Sequence, residues 1–86
     1  MRNNYNQVLK QVFHLNLIRS RYELGITQEE MAHRLAMASR TYVDLDHGKS
    51  GCSALTLGLY LVYISTDPLA FLLELRCAWE ACHEVA

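Results

Sequence analysis

The sequence predicts an all-α domain, and three observations predict it. One proline and four glycines in 86 residues leave little material for the tight turns of a multi-strand sheet. Apolar residues recur at helical spacing along most of the chain. Helix start and stop signals punctuate it at Asn3, Asn4 and Asn6, at Gly25, Thr27 and Gly48, and at Asp67-Pro68. Apolar residues make up 51% and charged residues 20%, which excludes disorder. The length bounds a single domain over residues 1–86. A domain of this size buries only about 60% of its unfolded surface, so a partner, commonly a second copy, is expected to cover more.

Each element follows in order. From about Asn6 to Leu24, the residues Val8, Leu9, Val12, Phe13, Leu17 and Leu24 recur at helical spacing, and Gly25 suits the position after a helix end. Thr27 to Glu30 has the form of a capping box. There the Thr27 hydroxyl accepts from the Glu30 amide, and the Glu30 carboxylate reaches back. A short helix to Leu35 follows. A second runs from about Ser39 to Asp46 and stops at His47-Gly48. Ser50 to Ser53 is a loop. The run Leu55–Ile64 suits either a helix or a buried strand. Asp67 caps the last helix, Pro68 occupies its first turn, and the helix extends close to Val85.

Eight Lys and Arg against nine Asp and Glu give a net charge of −1, unevenly spread. Residues 1–26 hold Arg2, Lys10, Arg19 and Arg21 against Glu23 alone; residues 52–86 hold Arg76 against four acids. A basic end is compatible with a nucleic-acid face without demanding one. From the polar start, no signal peptide is expected. The uncharged stretch 50–66 falls short of the ~20 residues a membrane span needs, so no membrane is expected. Cys52, Cys77 and Cys82 lack a C-x-x-C pattern, which favours reduced thiols in a cytoplasm over a disulfide scaffold. Cys77, Cys82 and His83 have no matching second pair of ligands, so no metal is expected. His14, His33, His47 and His83 are scattered, and no phosphate loop is present, so neither catalysis nor a cofactor is expected.

The segment from Gln28 to Asp46 (QEEMAHRLAMASRTYVDLD) has the spacing of a helix-turn-helix. Ala32 is small where two helices cross closely, and Leu35, Met37, Tyr42 and Leu45 fall where they pack on each other. With Arg21 and Gly25 to Gln28 before it and His47 to Lys49 after it, the segment resembles the Cro and phage-repressor (Xre-type) DNA-binding family. The resemblance covers roughly residues 13–64 and implies a five-helix, lambda-repressor-like domain whose first and last helices are extended. It also implies that Leu55–Ile64 is helical.

It implies a function as well: a sequence-specific double-stranded DNA-binding transcriptional regulator, cytoplasmic in a bacterium or encoded by a phage, reading a palindromic site. Gln28 matches the glutamine that meets the DNA backbone. Ser39, Arg40 and Asp44 match positions facing base edges, and Thr41 and Lys49 match positions touching phosphates. Arg40 suits guanine O6 and N7, and Asp44 suits cytosine N4; alternatively the two, four residues apart, simply pair. Arg21 and Asp46 match a structural ion pair. Asp46 is one methylene shorter than the family's usual Glu, which leaves a strained or water-bridged pair open. Ala36 stands where the family has glycine in the turn, and Ala38 where it has a capping Ser or Thr, so Ser39 is the alternative cap. The alternative function is a protein-interaction module or antitoxin-like partner that keeps the fold with little DNA affinity.

The last helix is apolar around far more than one face, which predicts a homodimer interface through Leu72, Leu75 and Trp79. Alternatively the long first helix, through Tyr5, Val8, Leu9 and Val12, covers the surplus within one chain.

Overall fold

The structure, a computed structural model, describes the backbone of residues 2–85 and the side chains of residues 4–81. It is all-helical: α1 (Arg2–Leu24), α2 (Gln28–Arg34), α3 (Ser39–Asp46), α4 (Ala54–Leu59) running into a π turn (Tyr60–Ile64), and α5 (Pro68–Val85). Among the described residues there is no strand, and no helix is long and apolar enough to cross a membrane.

α1 begins at Arg2, earlier than the expected Asn6, and buries Val12, Phe13 and Leu17. Leu24, expected in the apolar stripe, is 39% exposed where the helix runs out. Gly25 then takes φ +65°, the left-handed conformation that glycine adopts without steric cost. Thr27 caps α2, its hydroxyl accepting from the Glu30 amide at 3.1 Å. The reciprocal half of the capping box is not made. The Glu30 carboxylate instead accepts from Arg34 Nε at 3.2 Å, one turn further on.

The turn between α2 and α3 holds Ala36 at φ +55°, where a side chain costs about 1–2 kcal/mol. The cap of α3 is Ala38, which makes no side-chain bond to the helix. Ser39 is the first helical residue, so its hydroxyl does not serve as the cap considered for it.

The run Leu55–Ile64 is helical. Ser53 caps it, accepting from the Thr56 amide at 3.2 Å. From Tyr60 the helix widens by one residue, and the Ser65 amide donates to the Tyr60 carbonyl at 2.8 Å. Asp67 caps α5 through the Ala70 amide at 3.1 Å, as its place before Pro68 predicts.

The core, which takes buried residues from every helix, includes a triad of edge-to-face rings from three elements. Phe13 lies 5.3 Å from Tyr60 and 6.5 Å from Phe71, and Tyr60 and Phe71 are 5.8 Å apart. The Tyr60 hydroxyl donates to the Asn16 carbonyl at 3.2 Å and bonds the Ser20 hydroxyl at 2.8 Å, so a buried phenol is satisfied. Further along the same seam, Trp79 meets Tyr5 edge-to-face at 5.6 Å, and its indole N–H donates to the Tyr5 carbonyl at 2.9 Å. Leu75 is buried in the same seam, 5% exposed.

The placing of α1 on α5 bears on the expected interface. Leu75 is already covered within its own chain, and Trp79 is half-buried on α1. Of the three residues expected to pair two copies, Leu72 alone faces outward.

Candidate nucleic-acid interface

Asp46, the last residue of α3, is buried, and three elements converge on its carboxylate. From α1, Arg21 Nε donates at 3.3 Å. From the first residue of α2, Gln28 Nε2 donates at 2.9 Å. One turn back on α3, the Tyr42 hydroxyl donates at 2.9 Å. The main-chain carbonyl of Asp46 accepts from His14 Nε2 at 2.8 Å, which satisfies one of the carbonyls that a helix end leaves orphaned. Just beyond, Gly48 takes φ +74° with its backbone against the His14 ring, where an added Cβ would stand 3.3 Å from the imidazole.

The expected ion pair therefore forms directly, without a bridging water. The Tyr42 hydroxyl supplies a bond where the carboxylate is one methylene short. Burial alone pushes the Asp46 carboxyl up, but the bonds from Gln28 and Tyr42 and the Arg21 charge outweigh it and hold the group below its usual range. The same contact, with burial as the larger cause, pushes the Tyr42 phenol well above its ordinary value.

With α3 held from behind, its outer face is free. Ser39, Arg40, Thr41 and Asp44 are exposed, and their side chains make no hydrogen bond or ion pair among the described residues. The alternative in which Arg40 and Asp44 pair is not formed. Lys49 is exposed just past the end of α3, its carbonyl accepting from Lys10 Nζ at 3.5 Å. Arg40 and Lys49 are thus cations without a carboxylate partner among the described residues, whereas Arg34 is paired with Glu30.

Gln28 is placed differently from the other expected contacts. It sits half-buried, with its amide nitrogen turned inward to Asp46. His14 and the Tyr42 hydroxyl were not singled out by motif, yet His14 ties α3 to α1 and the Tyr42 hydroxyl braces the Asp46 carboxylate within α3. One signal was available: His14 and Arg21 lie seven residues apart, two turns along one face of α1, and both engage Asp46.

Among the described residues no three His, Cys, Asp or Glu side chains gather as a metal site requires. Cys82 and His83 lie outside the described side chains, and Cys77 is exposed. Comparison with protein families, curated proteins and solved structures finds no match to the chain.

Proposed function

We propose that the chain is a double-stranded DNA-binding domain of a transcriptional regulator, which lays α3 in the major groove. The observation that carries this is Arg40, a guanidinium exposed and unpaired on a helix whose opposite face is anchored to α1 and α2. An α-helix fits the major groove, where an arginine meets guanine O6 and N7 with two parallel bonds. Asp44, one turn further on the same face, accepts from cytosine N4. Thr41 and Lys49 flank these positions and suit phosphates, which set register without reading sequence. Gln28 in this arrangement acts by positioning: its amide ties the start of α2 to the end of α3.

The few unpaired cations among the described residues support a second function, a protein-interaction module with the same architecture. Selection of duplexes from a random pool at two salt concentrations separates the two. Enrichment of a defined sequence containing a guanine lost on Arg40→Ala supports DNA reading. No enrichment at low salt defeats it and leaves the interaction module.

A further inference from the structure

A cavity of about 350 Å³ opens between the early turns of α1 and the loop that leaves α3. Asn6, Gln7, Leu9 and Lys10 line it from α1, and Gly51 and Cys52 line it from the loop. Ligand sites run to about 300–1,000 Å³, so this volume suits one small molecule. Asn6 and Gln7 precede Lys10 by one turn, which sets the three on one face of α1. Asn6 and Gln7 are exposed, so their amide N–H groups stand open to a ligand. Lys10 is half-buried, and among the described residues its ammonium donates to the Lys49 carbonyl alone, at a long 3.5 Å. The remaining ammonium protons are left for a ligand. Leu9 and Cys52 are half-buried and pack on the core, which gives the cavity an apolar side.

The charge around the cavity has one sign. Residues 2–22 and 47–66, which supply its two walls, hold no Asp or Glu in a chain with nine acids. Acids on the neighbouring elements are engaged elsewhere. Asp46 accepts from Arg21, Gln28 and Tyr42; on α5, which packs on α1, Glu74 accepts from Asn16 and Glu80 from Arg76. Burial pushes the Cys52 thiol up, so at neutral pH it carries no charge that would oppose an anion.

We propose that this cavity binds a small organic acid. Its carboxylate meets the Lys10 ammonium and the Asn6 and Gln7 amides, and its carbon skeleton lies against Leu9 and Cys52. A charge-assisted bond holds the acid group, and burial of the apolar side favours a hydrocarbon body that inorganic phosphate lacks. The site does not depend on the DNA reading, and its test uses no DNA, so the two stand or fall separately.

Titration of the isotope-labelled chain with benzoate, followed by amide NMR at constant ionic strength, tests the site. The range extends to ~20 mM, past the millimolar affinities expected of so small a ligand. Saturable shifts are expected at the Asn6 and Gln7 side-chain amides and at the Gly51 and Cys52 backbone amides. Lys10→Met keeps the stem and removes the charge; it is expected to weaken binding about tenfold with unchanged helical circular dichroism. If that variant loses helicity, Lys10→Gln replaces it. Benzyl alcohol, a ring without the charge, and inorganic phosphate, a charge without the ring, are each expected to bind about tenfold more weakly. Arg76→Gln, the same loss of charge at an exposed position of α5, is expected to leave benzoate affinity unchanged. No saturable shift with benzoate overturns the site, as does affinity that survives loss of the Lys10 charge or falls with Arg76→Gln. Benzyl alcohol or phosphate binding as tightly as benzoate overturns the assignment to an organic acid.

Discussion

Ala36 holds a backbone that costs it about 1–2 kcal/mol, because its Cβ crowds the following carbonyl at φ +55°. Ala36→Gly should therefore stabilise the domain by about 0.5–1 kcal/mol, after subtracting the extra freedom glycine has when unfolded. Thermal unfolding checks it: Tm should rise by several degrees, and a fall would mean that the turn does not hold this conformation. Asp46 is the opposite case, a residue whose own bonds favour the fold. Asp46→Asn should cost about 3 kcal/mol, since it strips the charge from a buried pair with Arg21. The pH dependence follows from the direction of its shift. A carboxyl held below its unfolded value adds stability that is complete above about pH 4 and is lost as pH falls through the folded value. Urea midpoints between pH 5 and pH 2.5 should thus fall more steeply for the wild-type chain than for Asp46→Asn. Equal slopes would remove Asp46 from the acid response.

At the scale of elements, α3 divides its work between two faces. On the proposed DNA reading, Arg40→Ala should cost about 1–3 kcal/mol of binding at one guanine per half-site, while stability stays within about 0.5 kcal/mol. Affinity lost equally on all sequences would make Arg40 a phosphate contact. The seam between α1 and α5 is separately testable. Trp79→Phe keeps a ring against Tyr5 but loses the bond to its carbonyl, for about 1 kcal/mol. An unchanged urea midpoint would show that bond to be unimportant. The helices were largely legible because caps and periodicity act within a few residues: Thr27 and Asp67 sit where their helices start. What was not legible depends on neighbours distant in sequence. The indole of Trp79 found a carbonyl 74 residues away, which no spacing rule encodes. The apolar excess of the last helix therefore read as an interface, although part of it is covered by α1. Gln28 likewise had two outlets for its amide, solvent and Asp46, and nothing near it in sequence decides between them. The π turn carries no local signal either, because Tyr60 and Ile64 suit the core in an ordinary helix as well.

Among the described side chains there are few cations to spare. Arg21, Arg34 and Arg76 have carboxylate partners, leaving among the described residues Arg40 and Lys49 beside α3 and Arg19 on α1 as exposed cations, with Lys10 half-buried against the Lys49 carbonyl. If the proposed DNA reading holds, a chain so equipped neutralises about two or three phosphates, so two chains on one site should show log affinity against log salt with a slope near −4 to −5. A slope steeper than about −8 would reveal a much wider contact surface. Sequence preference in such a protein has to come from base edges rather than from charge.

The side chains that face outward on α3 are idle in the fold, and this bears on how the protein could change over generations. Ser39, Arg40 and Asp44 hold nothing in place, so exchanging them leaves the anchoring of α3 by His14, Arg21 and Gln28 untouched. On the proposed DNA reading, a mutation there alters the address that is read without taxing the scaffold. A new target can thus be reached one substitution at a time, each intermediate still folded. The residues behind the helix have no such liberty, since a change at Asp46 is felt at once by α1, α2 and α3.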